Sequence, residues 1–166
     1  MDQFEALVGI GQLGVAISGF AGIVMVLGRN AAYDEPANRV RLSVLVTSGL
    51  SAGLFSLLPQ ILWGLVAEST VWALSSAVWF VAAIFVAYPI GKRVKLNLDE
   101  DPELRERHGG KYVIFFVSLA YFIVLALQAI NVIRWQNFQT FFLALSYLVF
   151  TAVLMFARIL HSRQAA

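Results

Sequence analysis

Five apolar runs, each long enough to cross a lipid bilayer, constrain this chain more than any other feature of it. They cover about 4–28, 42–66, 71–91, 112–133 and 138–160. A helix needs about 20 apolar residues to span the hydrocarbon core. The middle of every run lacks Asp, Glu, Lys, Arg and His; Glu5 and Arg158 lie near ends, within reach of headgroups. In hydrocarbon each backbone N–H and C=O has to bond within its own segment, so runs of this kind fold as helices. Runs two and three are joined by 67–70 alone, and runs four and five by 134–137, which predicts two tight antiparallel hairpins.

Composition removes the alternatives. The chain is 60% hydrophobic and 13% charged, against about a quarter charged in an ordinary soluble domain. It has too few charges to cover a water-facing surface and too many apolar residues to stay disordered. It has no cysteine, which removes disulfides, thiol nucleophiles and cysteine-ligated metals. The net charge of +2 gives no case for nucleic acid, because the basic residues sit between apolar runs, where membrane orientation accounts for them.

Eleven of the twelve Lys and Arg residues fall on one side of a five-span arrangement: Arg29, Arg39 and Arg41; Lys92, Arg93, Lys95, Arg105, Arg107 and Lys111; Arg158 and Arg163. Arg134 stands alone on the other. By the positive-inside rule the N-terminus faces out and the C-terminus is cytoplasmic. The alternation closes with five spans and fails with four. The acidic start, Asp2 and Glu5, is unlike a signal peptide, so the first run is read as an uncleaved span. Trp63, Trp72 and Trp135 fall near the outer boundary and Tyr33, Tyr88 and Tyr112 near the inner one, as amphipathic rings prefer. Trp79 lies deeper and is expected to pack on a neighbouring helix.

The prediction is an all-α integral membrane bundle of five transmembrane helices, a single domain over 1–166, in the plasma membrane (the inner membrane of a bacterium). Its one long polar stretch is the cytoplasmic loop 92–111. There Asp101-Pro102-Glu103 reads as a helix start and Gly109-Gly110 as its stop, predicting a short surface helix. The carboxylates Asp99, Glu100, Asp101, Glu103 and Glu106, with His108, match no calcium-loop or zinc spacing and read as a solvated loop.

Membrane helices associate through small residues that let backbones approach. The first span carries Gly11, Gly14, Ser18 and Gly22 on one face, and the second carries Gly49 and Gly53. A second small face of span one, Gln12, Ala16 and Gly19, predicts a central position for that helix.

The polar residues inside the spans are carboxamides and hydroxyls. Gln12, Ser56, Gln60, Tyr121, Gln128 and Asn131 form the candidate binding set. Counted along alternating spans, the four amides lie in the outer half of the bilayer, where they could line one polar vestibule. Pro59 cannot donate to the carbonyl at 55 and would widen that side. The simpler reading is that buried amides link one helix to another.

No Asp, Glu, Lys, Arg or His lies mid-membrane to serve a proton pump, retinal protein or voltage sensor. His108 and His161 are both outside the membrane, so paired haem ligation is not available. Gly9 to Gly22 lies inside a span with no preceding strand, so it is not a dinucleotide fingerprint. No catalytic residue, metal ligand or cofactor is assigned, and an enzyme is not expected. Five spans also forbid a complete twofold duplication. Two functions remain. One is a non-catalytic accessory or assembly subunit of a membrane complex, acting through helix association with itself or another membrane subunit. The other is a small homo-oligomeric passive channel or facilitator for a neutral polar solute.

Overall fold

The computed structural model describes residues 3–27, 36–100 and 110–164. These form five long helices: α1 (Gln3–Leu27), α2 (Pro36–Leu62), α3 (Glu68–Glu100), α4 (Gly110–Ile130) and α5 (Phe138–Gln164), with a π-helical turn, Asn131–Trp135, between the last two. All five contain a stretch long and apolar enough to cross a membrane. The shortest, α4, has 21 residues, which at 1.5 Å per residue gives about 32 Å.

The surface confirms that lipid is the solvent. Large apolar side chains point outward, Leu54 at 70% and Phe85 at 75% exposure, while Ser18, Ser56, Ser75, Ser76, Gln128, Asn131 and Thr140 are buried. Water would reverse this arrangement, since burying hydroxyls and amides while wetting Leu and Phe costs free energy twice. In hydrocarbon the polar groups are sheltered and the apolar ones solvated.

α1 and α2 form the most intimate pair. Gly14 sits against the Gly49 backbone and Ala52, Gly11 against Ser56, and Gly53 against Val15. The Ser18 hydroxyl donates to the Gly14 carbonyl in its own helix at 3.0 Å and leans across the seam toward the Val46 carbonyl at 3.5 Å. Gly11, Gly14, Ser18, Gly49 and Gly53 therefore pack as their spacing predicts. Gly22 does not: a Cβ there meets nothing within 4 Å. It lies on the predicted face, but one turn beyond the last close contact with α2.

The central helix is α5, not α1. α5 packs on each of the other four helices, whereas α1 packs on α2 and α5. The second small face of α1 is exposed along Gln12, Ala16 and Gly19. Small residues make close packing possible on a face but do not summon a helix to it. The main core instead joins Leu7 of α1, Val71, Trp72 and Trp79 of α3, Val124 of α4, and Phe141, Ala144 and Leu145 of α5. A second cluster, Ala21, Leu45, Ala152 and Ile159, closes the opposite end of the α1–α2–α5 seam.

The first hairpin turn lies earlier than the sequence spacing suggests. α2 ends at Leu62, and the chain turns through Trp63–Val66 with Gly64 at φ 82°. Trp63 N–H donates to the Pro59 carbonyl at 2.9 Å and Leu65 N–H to that of Leu62 at 3.1 Å, closing the helix end. Trp63, Leu65 and Val66 are apolar, so hydropathy alone extends the span through them; the left-handed glycine marks the true stop.

Trp72 also departs from its predicted boundary position. It is buried at the turn end of the bundle, its ring 5.4 Å from Phe138 and 6.3 Å from Phe141 and from Trp63. Trp63 and Trp135 remain exposed, and Trp79 is buried as expected.

The loop predicted over 92–111 is partly helix. α3 runs on through Lys92 to Glu100, past Pro89, and α4 begins at Gly110. Polarity located the membrane boundary there, but 92–100 contains no helix breaker and continues the preceding turns. The predicted surface helix starting at Asp101, most of the acidic cluster, His108 and Tyr33 lie outside the described residues.

Candidate functional site

The densest polar arrangement in the bundle lies where α3, α4 and α5 meet, and Asn131 is its centre. Asn131 follows α4 directly, at the start of the π turn. Its Nδ2 donates to Ser76 Oγ on α3 at 2.8 Å and to the Asn137 carbonyl at 3.2 Å. Its Oδ1 accepts from the Asn137 N–H at 3.0 Å. One carboxamide thus uses both donors and its acceptor, matching the backbone of Asn137 as a neighbouring peptide would. A residue in hydrocarbon can be fully buried on these terms, and Asn131 is 0% exposed.

The surrounding turn completes the pattern. Gln136 N–H donates to the Asn131 carbonyl at 2.9 Å, the wider ring of a π turn. Gln136 itself is left-handed, φ 48° and ψ 47°, which reverses the chain. Asn137 Oδ1 then accepts from the Thr140 N–H at 3.0 Å, the N-cap bond that starts α5.

One turn deeper, Gln128 Nε2 donates to the Thr140 carbonyl at 2.7 Å. Its Oε1 is buried without a hydrogen-bond partner, as is Ser75 Oγ. Further along, Tyr121 OH donates to the Ala83 carbonyl of α3 at 2.8 Å and Tyr147 OH to the Val117 carbonyl of α4 at 3.0 Å. The two tyrosine rings lie 6.3 Å apart. α3, α4 and α5 are therefore tied at three depths by polar side chains.

The six predicted binding residues occupy three settings. Tyr121, Gln128 and Asn131 join this three-helix seam. Ser56 and Gln60 turn back on α2: Ser56 Oγ donates to the Gly53 carbonyl at 2.8 Å and Gln60 Nε2 to that of Ser56 at 3.2 Å. Gln12 lies on the exposed face of α1 and has no hydrogen-bond partner among the described residues. Position along a helix says nothing of azimuth, and azimuth decides which side chains meet.

Two partners were missed from sequence, Ser76 and Asn137. Ser76 lies eight residues into α3, at a depth matching Asn131, so a depth comparison extended to serines would have paired them. Asn137 was read as link, and its role as cap to α5 follows from Thr140 three residues on.

Chemically, the seam offers amides, hydroxyls and phenols engaged with backbone or with one another, apart from Gln128 Oε1 and Ser75 Oγ. Among the described residues no group of three His, Asp or Glu converges. No protein-family model, curated protein or solved structure matches this chain.

The unpaired Gln128 Oε1 gives a direct test of the seam's energetics. Gln128→Leu removes one hydrogen bond but also removes a buried, unbonded carbonyl oxygen. The two terms oppose, so the variant is expected to fall within about 1 kcal/mol of the native protein in denaturant unfolding.

Proposed function

We propose that the protein is a non-catalytic accessory or assembly subunit of a membrane complex, resident in the plasma membrane with its N-terminus outside and its C-terminus in the cytoplasm. It works through the open face of α1. The observation that carries this reading is Gln12. Its carboxamide lies about 14 Å along α1 from Gln3, exposed and flanked on the same face by Gly9, Ala16 and Gly19, all exposed. An amide left in hydrocarbon without a partner costs a few kcal/mol. A second transmembrane helix approaching over the small residues would bring it a hydrogen bond.

The solute-facilitator reading draws less support. It needs polar groups free to replace a solute's water, and Tyr121, Gln128, Asn131, Ser56 and Gln60 all donate to other groups of the bundle.

The chain's lack of cysteine makes labelling of added cysteines clean, and photo-cross-linking tests the interface. The photoreactive residue p-benzoylphenylalanine placed at position 16, which inserts into C–H bonds and needs no amine, should on irradiation in native membranes yield a defined adduct with a different membrane protein. Gln12→Leu should reduce that yield several-fold. Adducts of twice the chain's mass alone would favour the homo-oligomeric alternative, and no adduct from the photoreactive residue at position 16 would sink the proposed interface. Labelling of added cysteines from either side of the membrane tests the orientation.

A further inference from the structure

At the end of the bundle opposite the Trp63 turn, two arginines from different helices stand at the same end of the α2–α5 seam. Arg41 stands in the first turns of α2 and Arg158 near the end of α5. Their neighbours Leu42 and Leu45, and Met155 and Ile159, belong to one apolar cluster that fixes the two helices side by side. Both side chains are half-buried. Arg41 Nη1 donates to Asn38 Oδ1 at 2.8 Å, which aims the guanidinium without neutralising it. Among the described residues no carboxylate pairs with either arginine.

Two like charges held together at the edge of a low-dielectric region repel, and a fold that keeps them so is stabilised by an anion between them. Guanidinium groups present planar, paired donors that suit the oxygens of a phosphate. The position selects the source. Arg41 and Arg158 lie near the ends of membrane spans, Asn38–Leu62 and Phe138–His161, at the level where lipid phosphates sit. Beside Arg158, Val153, Ala157 and Leu160 form an exposed strip down α5 on which an acyl chain can lie.

We propose that Arg41 and Arg158 form a binding site for the phosphate of an anionic phospholipid, clamping it between α2 and α5. A single negative phosphate would remove the repulsion and bridge the two helices. This assignment stands apart from the proposed role of the α1 face, which lies on another side of α1 from its contacts with α2 and α5.

The experiment is native mass spectrometry of the intact chain in detergent, titrated separately with phosphatidylglycerol, phosphatidylcholine and inorganic phosphate. The native protein should retain phosphatidylglycerol at concentrations at which phosphatidylcholine dissociates. Each arginine replaced by glutamine should weaken retention about fivefold, and R41Q/R158Q by roughly 25-fold. Lys92→Gln, an exposed basic residue outside the pair, should leave it unchanged. Thermal unfolding supplies a second readout with a change of sign. Without lipid, R158Q should melt higher than the native protein, because one of two opposed charges is gone. With phosphatidylglycerol the order should reverse. Equal phosphatidylglycerol retention by R41Q/R158Q and the native chain would overturn the proposal. So would stabilisation by inorganic phosphate with no preference between the two lipids, which would make this a soluble-anion site.

Discussion

Gly14→Leu is expected to destabilise the folded bundle by about 3 kcal/mol, the upper part of the usual range for forcing bulk into a packed interior. A Cβ on Gly14 would lie 2.6 Å from the Gly49 carbonyl oxygen and 3.0 Å from the Ala52 Cβ. The obstructing atoms are largely backbone, so no rotamer change relieves the clash and α1 has to move off α2. Ser18, which reaches toward the Val46 carbonyl, would then lose its contact across the seam. The control is Gly22→Leu on the same helix. A Cβ there meets nothing within 4 Å, and leucine favours a helix over glycine by up to about 1 kcal/mol. Gly22→Leu should therefore be neutral or slightly stabilising. Reversible unfolding in mixed micelles, followed by tryptophan fluorescence, measures both. Equal effects of the two substitutions would show that glycine content, rather than close approach, governs the α1–α2 pair.

Asn131→Leu should cost about 2 kcal/mol, more than any other single polar replacement in the membrane interior. Interhelical hydrogen bonds in membrane proteins average about 0.6 kcal/mol each; Asn131 makes one of this kind, with Ser76 Oγ, and two more within the turn, with the Asn137 carbonyl and the Asn137 N–H. Leucine also strands the Asn137 N–H and C=O at the turn, where helix α5 begins. The effect should exceed that of Gln128→Leu, which loses one bond and an unbonded oxygen. A double-mutant cycle with Ser76→Ala should show coupling of about 1 kcal/mol. Additive effects would mean that Asn131 acts through the turn alone, without tying α4 to α3.

Much of the bundle was legible before any coordinates, and particular residues show why. The five spans followed from hydropathy because lipid imposes one rule over the whole length of a segment. The glycines of α1 and α2 were legible for a related reason: close backbone approach tolerates nothing larger, so Gly14 and Gly49 announce it by type. The turn at Gly64 was displaced because its neighbours are apolar, and hydropathy reports solvent rather than backbone conformation. The extension of α3 through Lys92 to Glu100 departs from the predicted loop for the converse reason: polarity marks solvent, not irregular backbone.

The candidate site was legible in kind but not in arrangement. Tyr121, Gln128 and Asn131 announced themselves as polar residues in hydrocarbon, and three of the six predicted residues do share one seam. Gln12 carries the same chemistry at a similar depth, yet it faces outward. Ser76 and Asn137, among the most ordinary residues in the chain, became the partners that matter.

The sequence by itself determined how many helices are long and apolar enough to cross a membrane and how far along its helix each polar group lies. Both depend on distance along a helix axis, and each residue adds a fixed rise of about 1.5 Å. Only the tertiary structure decided that α5 rather than α1 is central, that Asn131 latches onto Ser76, and that Arg41 and Arg158 share one end of the α2–α5 seam. Those facts depend on how each helix is rotated and which neighbour it finds. That choice is made by packing among all five helices at once, and no single segment contains it.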